Sequence, residues 1–342
     1  ELGSVIKPII VASALESGAV SDSDVFICDG GEQIGNDYVR CAVYPYAHGT
    51  ETLGEVIQNS CNDGMMAIGR KMGAALLLDY QSRFNFGSRT GIDLPNESSG
   101  AIYTLDQMKD MELASTTFGQ GFTSTMIQEI SAVSAVINGG TYYQPHVVKE
   151  IKSQEDGSVL KTNEGNVLKQ IVSSDVSEKI REYMGMSVTS GTSRKSKVQG
   201  YSMGGKTGTA EILSTKEKDY LVSFIGFAPL DTPQVVVYVV VDRPNVEEQA
   251  DSSYAQYIAQ AILDEILPYM NIYPDEETEE TTKLWDGFKG VLKLDDSEVE
   301  VDEPAVQTEG SETGTDNAPD IEVVQDESGS SEEYNDEESD GV

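Results

Sequence analysis

Three consecutive strand-like stretches constrain the fold of this chain more than any other feature: residues 201–213, 220–228 and 234–242. The segments before them have the apolar spacing of helices, whereas these three stretches have that of strands. A short turn at 230–233 joins the last two stretches. Because strands that follow one another through short connections pair antiparallel, we predict an antiparallel sheet.

Helical periodicity lies on both sides of these strands. The predicted helices cover 7–17, 52–84, 123–138, 174–189 and 252–267. The stretch 52–84 predicts two successive helices with a break near 62–64, and 22–45 predicts a loop or short hairpin. Further strands are expected at 141–152 and 159–162, joined by a hairpin turn. We therefore predict an α/β fold of the α+β type, in which an antiparallel sheet is flanked by helices and accompanied by a helical subdomain.

Negative charge is concentrated at one end of the chain. The net charge of the 342 residues is −36, of which −22 falls in residues 275–342. Such a surface would be repelled by phosphate backbones, which excludes a generic nucleic-acid binder. The composition predicts a folded domain over 1–272 and an acidic, disordered tail over 273–342.

The sequence contains no apolar run of the length that a membrane span needs. It opens with Glu1 and without a signal-like segment, so we interpret it as a fragment whose N-terminal part, including any anchor, is missing.

The chain has three cysteines and two histidines: Cys28, Cys41, Cys61, His48 and His146. None of them shows the short ligand spacing of structural zinc sites, so we expect core or surface residues and no metal or cofactor. Pairing of Cys28 with Cys41 in an oxidising compartment stays open.

The first candidate catalytic motif is Ser4-Val5-Ile6-Lys7. At the start of a helix, Ser4 and Lys7 share a face, which brings an amine within reach of a hydroxyl. A lysine among apolar groups can lose its charge and act as the base that activates a serine. By itself the motif is also compatible with a helix cap and an exposed lysine.

Two further motifs supply polar groups. Ser60-Cys61-Asn62 lies near the predicted break between two helices, where a hydroxyl and a carboxamide could relay a proton and hold a substrate amide. Lys206-Thr207-Gly208-Thr209 lies in a predicted strand. There the lysine and hydroxyl can receive a carboxylate, Gly208 allows a substrate to lie beside the strand, and the N–H groups of Thr209 and Ser4 can form an oxyanion hole.

The order S-x-x-K, S-x-N, K-T-G resembles that of penicillin-binding proteins and class A β-lactamases. Further segments are similar to the class B penicillin-binding proteins, the monofunctional peptidoglycan D,D-transpeptidases of division, elongation and sporulation. They are 1–8, where Leu2 replaces the usual proline, Thr90-Gly91-Ile92-Asp93-Leu94-Pro95, Phe118-Gly119-Gln120-Gly121 and Gly226-Phe227-Ala228-Pro229. The cysteines, His48-Gly49 and Ser60-Cys61-Asn62 resemble the sporulation and division members of Gram-positive bacteria.

This resemblance implies a penicillin-binding transpeptidase fold and acyl transfer from D-Ala-D-Ala stem peptides. It implies Ser4 as nucleophile, Lys7 as base and Ser60 as proton relay. Asn62, Lys206, Thr207, Gly208 and Thr209 would bind substrate. Expected partners are stem peptides, β-lactams and other cell-wall synthesis or division proteins, on the outer side of the cell membrane. A β-lactamase or D,D-carboxypeptidase of the same fold, and a non-catalytic penicillin sensor, stay open.

A competing pattern lies at 200–207, which matches G-x-x-x-x-G-K-[ST]. A phosphate-binding loop must follow a buried strand and open a helix. The preceding segment 190–199 has no apolar run, and Gly208 would weaken the required helix. We therefore reject nucleotide binding.

Overall fold

A computed structural model describes residues 1–212 and 218–276. Its principal helices are α1 (Lys7–Glu16), α2 (Leu53–Gln58), α3 (Asn62–Arg83), α4 (Asp110–Thr117), α5 (Met126–Ile137), α6 (Ser174–Thr189) and α7 (Ser253–Tyr269). Its strands are β1 (Val25–Cys28), β2 (Gly31–Ile34), β3 (Asp37–Arg40), β4 (Gly49–Thr52), β5 (Thr141–Gln144), β6 (Glu150–Lys152), β7 (Val159–Thr162), β8 (Asn166–Gln170), β9 (Gly204–Glu211), β10 (Tyr220–Ala228) and β11 (Val235–Asp242). Short 3-10 helices cover Gly3–Ile6 and Arg194–Ser196.

The three long strands form one antiparallel sheet in the order β11-β10-β9, which confirms the predicted sheet. Alternate residues of the central strand face opposite sides, as pleating requires. Phe224 packs with Ala255 and Ala259 of α7, whereas Ile225 and Phe227 join the large core cluster that contains residues of α1, α5 and α6. Helices therefore cover both faces, and the α/β fold class is confirmed.

The sheet's first strand begins later than predicted. Residues 201–203 precede β9, and Tyr201 and Met203 pack instead against Leu263 and Leu267 of α7. The N–H of Ser202 donates to the Asp275 carboxylate, 2.6 Å away. These contacts hold the segment out of the β ladder.

The predicted strand over 141–152 is two strands. Pro145 follows β5 and has no N–H to donate, and beyond it the amides of Val147 and Val148 bind the Asp93 carboxylate. β6 then pairs with β7, as the predicted hairpin requires. The sequence did not indicate β8, which pairs with β5.

The segment 22–45 contains β1 and the β2–β3 hairpin. β1 pairs with β4, which follows that hairpin in the sequence. α2 begins at a capping box in which Thr52 and Glu55 bind each other's backbone. α3 is kinked at Gly73, whose φ is 72°. No helix in the described ranges is both long and apolar enough to cross a bilayer.

The contacts of the folded domain continue slightly beyond the predicted boundary at 272. The amides of Asp275 and Glu276 donate to the Gly200 carbonyl at 2.9 and 3.0 Å. The Lys197 ammonium lies 2.5 Å from a Glu276 carboxylate oxygen. The rest of the predicted tail, 277–342, lies outside the described residues.

Candidate active site

Ser4 and Lys7 lie on one short helical segment, as predicted. Ser4 is in the 3-10 helix Gly3–Ile6, which runs directly into α1 at Lys7. Gly3 has a φ of 62°, and a Cβ there would lie 2.7 Å from the carbonyl oxygen of Thr209. This close approach brings the start of the helical segment against β9, which carries the third motif.

The Lys7 amine is directed at the second motif. Its side chain is fully buried, and Nζ donates to Ser60 O at 2.7 Å, Asn62 Oδ1 at 2.8 Å and Ser60 Oγ at 3.2 Å. Burial lowers the pKa of Lys7 to about 8, although nearby acidic groups and thiols oppose that shift. Among the described residues, the Ser4 hydroxyl has no hydrogen bond to this amine.

Ser60-Cys61-Asn62 lies between α2 and α3, so the break falls at 59–61 and not at the predicted 62–64. The reason is local: the Cys61 thiol caps α3 by accepting from the Gly64 N–H at 3.4 Å. Ser60 has a φ of 57°, in the left-handed region that few non-glycine residues adopt. Asn62 Nδ2 also donates to the Arg40 carbonyl at 3.1 Å. A strained turn thus presents the hydroxyl and the carboxamide to Lys7.

Lys206 reaches the same hydroxyl from the sheet. Its side chain is fully buried in β9, and Nζ donates to Ser60 Oγ at 2.9 Å and to the Thr207 carbonyl at 3.0 Å. Burial, and then the nearby Lys7 charge, hold the pKa of Lys206 well below its usual range. The two lysines and Ser60 therefore form one continuous hydrogen-bond network.

Gly208 and Thr209 complete the strand. A Cβ at Gly208 would lie 2.4 Å from Ser223 Oγ and 3.0 Å from the Leu2 carbonyl, so only glycine fits without displacement. Thr209 is exposed, and its hydroxyl donates to the Ala250 carbonyl at 3.3 Å. The structure brings all eight predicted residues to the meeting point of the first helix, the α2–α3 turn and β9.

Several supporting residues were not predicted. The Thr207 hydroxyl lies 3.2 Å from that of Thr192, in the segment after α6. Gly3 N–H donates to Gly119 O at 2.9 Å, and Gly121 N–H donates to the Glu1 carboxylate at 3.3 Å. Glu1 and the glycines lie in segments that carried the family resemblance, but no periodicity or spacing indicates that these segments meet.

The three cysteines are free thiols in the structure, so Cys28 and Cys41 do not form the disulfide that the sequence left open. Instead, Cys28, Cys41, His48 and Cys61 place their ligand atoms within 4.8 Å of one another. The spacing argument had indicated unrelated core or surface residues. That argument gave no sign of the cluster, because its members come from four separate segments that only the tertiary fold brings together.

The phosphate-loop pattern at 200–207 has the wrong structural context. Its lysine and threonine lie inside β9, and the next described element along the chain is β10. A phosphate-binding loop requires a helix at that point. The rejection of nucleotide binding therefore agrees with the structure.

Comparison with known proteins shows the family to which the chain belongs. The family model of the penicillin binding protein transpeptidase domain matches residues 1–264 of this chain. Stage V sporulation protein D of Bacillus subtilis strain 168 is 38% identical over 295 residues, which are 85% of this chain and 46% of that protein. Peptidoglycan D,D-transpeptidase FtsI of Escherichia coli K12 is 27% identical over 281 residues, which are 81% and 45% of the two chains.

Solved structures agree with the fold. Penicillin-binding protein 3 of Mycobacterium tuberculosis, solved in complex with ampicillin, matches with a TM-score of 0.72 and 27% identity. The match covers 81% of this chain and 64% of that one. The chain spans about half the length of the curated relatives it matches. Its sequence over 1–264 and its fold together show that the chain belongs to the penicillin-binding protein transpeptidase domain family.

Proposed function

We propose that this chain carries the catalytic domain of a peptidoglycan D,D-transpeptidase, which joins stem peptides through an acyl-enzyme on Ser4. The observation that carries the proposal is the convergence of two buried amines, Lys7 Nζ and Lys206 Nζ, on the Ser60 hydroxyl. Acyl transfer from a peptide that ends in a carboxylate needs a proton pathway and a group that binds the carboxylate. Lys7 and Ser60 provide the pathway, and Lys206 provides the positive charge beside it.

In the first half-reaction, Ser4 Oγ attacks the carbonyl carbon of the penultimate D-alanine. Lys7 takes the hydroxyl proton, because burial leaves a fraction of its amine neutral near pH 7. The Lys7 amine meets Ser60 and Asn62 in the structure, and catalytic hydrogen bonds often tighten only when substrate is bound. Collapse of the tetrahedral intermediate breaks the amide bond and releases D-alanine, which must gain a proton on its nitrogen.

Ser60 supplies that proton and regains one from Lys7. Its hydroxyl accepts hydrogen bonds from both lysines, so its own O–H hydrogen is free to point at the departing nitrogen. The proton that leaves Ser4 thus returns to the leaving group through Lys7 and Ser60, and the enzyme's charge is unchanged over the step.

Lys206 and Thr207 bind the terminal carboxylate of the substrate. A carboxylate beside Lys206 favours the ammonium form there, which desolvation otherwise disfavours. The bound carboxylate and the Lys206 ammonium then form an ion pair next to the Ser60 hydroxyl that Lys7 also contacts.

The backbone around Gly208 receives the peptide. β9 is an edge strand of the sheet, and the absence of a side chain at Gly208 allows an extended substrate to pair beside it. The N–H groups of Ser4 and Thr209 bind the oxyanion, while Asn62 orients the peptide amide. An amine of a second stem peptide then attacks the Ser4 ester, which forms the cross-link and frees the serine.

β-Lactams mimic the D-Ala-D-Ala end and acylate Ser4 in the same way. The domain would act on the outer side of the cell membrane, where stem peptides are joined, together with other cell-wall synthesis or division proteins.

Intact mass of the chain after incubation with penicillin G tests the proposal. We expect one covalent adduct on wild type and none on Ser4→Ala. Ser17→Ala, at the other end of α1, is the matched control and keeps the adduct. Wild type without an adduct, or an unchanged adduct on Ser4→Ala, would overturn the proposal. Rapid turnover of nitrocefin would show a hydrolase, and acylation without cross-linking of lipid-linked stem peptides would show a sensor.

A further inference from the structure

A cluster of four side chains of types that can bind a metal ion includes Cys61, which lies in the turn between α2 and α3. Cys28 ends β1, Cys41 follows β3, His48 precedes β4, and Cys61 is the N-cap of α3. Their ligand atoms all lie within 4.8 Å of one another. The three thiols are buried, with at most 2% of each residue exposed, and His48 is partly buried. Four segments with no regular spacing thus deliver one compact ligand set.

The separations within this cluster match a tetrahedral zinc site. Zinc bonds to sulfur are about 2.3 Å long, so two sulfurs of one tetrahedron lie about 3.8 Å apart. Cys41 Sγ lies 3.9 Å from Cys61 Sγ and 3.8 Å from His48 Nδ1. Three cysteines and one histidine form a standard ligand set of closed, structural zinc sites.

The surroundings of the cluster are polar although they are buried. Glu51 is 2% exposed, and its Oε2 atom lies 3.7 Å from His48 Nδ1 without a hydrogen-bond donor among the described residues. This oxygen lies next to the same ring nitrogen that is 3.8 Å from Cys41 Sγ, so it places a further acidic group beside the cluster. The Asp63 carboxylate accepts from the Gly30 N–H at 3.0 Å and so holds the turn that follows Cys28.

Backbone amides also point at two of the sulfurs. The Asn62 N–H donates to Cys41 Sγ and the Gly64 N–H donates to Cys61 Sγ, both at 3.4 Å. Buried cysteines that serve only as small apolar residues need neither such donors nor a neighbouring imidazole and carboxylate. Such donors commonly surround cysteine sulfurs that bind a metal ion.

We propose that Cys28, Cys41, His48 and Cys61 bind one structural Zn²⁺ ion. Binding releases the three thiol protons to solvent and leaves the zinc with four protein ligands and no open position for substrate. The ion ties the β1–β4 and β2–β3 strand pairs to the start of α3. Because Cys61 stands between Ser60 and Asn62, the same ion holds the turn whose two side chains contact Lys7. It is a positioning element for the catalytic site and takes no part in the acyl transfer.

Zinc content of the purified chain tests this assignment. The full chain is produced in zinc-containing medium, purified in reductant without metal-affinity chromatography, and analysed by inductively coupled plasma mass spectrometry. We expect about one zinc per wild-type chain. His48→Ala and Cys28→Ser should lose at least about nine-tenths of that zinc. Each removes a metal ligand, and even mutation of a residue that only hydrogen-bonds a ligand typically lowers metal affinity by about 10- to 100-fold. His146→Ala, the chain's other histidine, is the matched control and keeps the metal.

A second measurement uses only wild type, in case the variants do not fold. Stepwise modification of the thiols with a mercurial, in the presence of the zinc indicator 4-(2-pyridylazo)resorcinol, should release the zinc as the three thiols react. Zinc that persists in both ligand variants, or is released without loss of thiols, would identify adventitious surface binding and overturn the assignment. A folded wild-type chain that stays zinc-free after dialysis against Zn²⁺ would also overturn it, whatever the result of penicillin labelling.

Discussion

Lys7 and Lys206 meet on one oxygen atom. Their Nζ atoms lie 3.2 and 2.9 Å from Ser60 Oγ, although the two residues are far apart in sequence and belong to a helix and a strand. Both side chains are fully buried, so two ammonium charges on this oxygen would repel each other with little solvent screening. The free site therefore favours one neutral amine, and this is Lys206, because burial and the Lys7 charge hold the pKa of Lys206 well below its usual range.

The rate of penicillin acylation should rise with pH through about 8, the pKa of Lys7, and then level off. Below that pH the amine is protonated and accepts no proton from Ser4, so roughly a tenth of the sites are competent near pH 7. Five groups shape this titration: Lys206, Cys41, Cys61, Glu51 and Asp63. Stopped-flow labelling with a fluorescent penicillin between pH 6 and pH 9.5 measures it.

Lys7→Ala should lower the same acylation rate by about 10²- to 10⁴-fold and remove the pH dependence. The matched control is Lys169→Ala, which removes a partly buried lysine that binds Asn85 Oδ1 outside this site. A flat pH profile for wild type would contradict the assignment of Lys7 as the base.

The hydroxyl of Ser60 and its backbone conformation can be tested separately. Ser60→Ala and Ser60→Gly both remove the oxygen that the two lysines share, so both should slow acylation by about 10²-fold or more. Only glycine relieves the φ of 57°, so the free energy of unfolding of Ser60→Gly should exceed that of Ser60→Ala by about 1 kcal/mol. If the glycine variant kept wild-type acylation, the hydroxyl would have no role in proton transfer.

Gly208→Ala should impair both stability and acylation. The new Cβ would lie 2.4 Å from Ser223 Oγ, closer than packed atoms tolerate, and 3.0 Å from the Leu2 carbonyl next to the nucleophile's helix. Overpacking of this kind costs about 1–3 kcal/mol. Adding Ser223→Ala removes the closest clashing atom, so the double variant should recover part of the urea midpoint. No recovery would mean that the Leu2 contact dominates the clash.

Glu129 should make the stability of the domain fall as pH rises. It is fully buried in α5, its carboxylate has no hydrogen-bond partner within the described ranges, and burial raises its pKa from 4.5 to about 8. The folded state therefore holds this proton more tightly than the unfolded chain. Its stabilising contribution is complete below pH 4.5 and decreases by about 1.4 kcal/mol per pH unit up to about pH 8.

Urea unfolding of Glu129→Gln between pH 5 and pH 8.5 measures this contribution. The variant should lose most of the pH slope and be more stable than wild type at pH 8.5. Glu178→Gln, on the exposed side of α6, should keep the wild-type slope. Equal slopes in all three proteins would show that Glu129 does not titrate in this range.

Local sequence determined the elements whose residues interact mainly with near neighbours. β10 and α6 occupy the predicted ranges because apolar spacing and turn residues act over a few positions. The three motifs also identified the residues that meet at the site, since their chemistry requires particular side chains in a particular order. Boundaries shifted where a distant contact intervened, as Asp275 does at Ser202.

Tertiary structure alone decided what those residues contact. The sequence placed the Lys7 amine near Ser4, but burial against the α2–α3 turn directs it to Ser60 and Asn62. Likewise, Cys28, Cys41, His48 and Cys61 have no recognisable spacing and become one ligand set only when β1, β4 and α3 assemble. Sequence spacing reports contacts along one helix or hairpin. Contacts between residues of separate elements depend on how those elements pack against one another. The whole hydrophobic core determines that packing, so no local sequence pattern reports it.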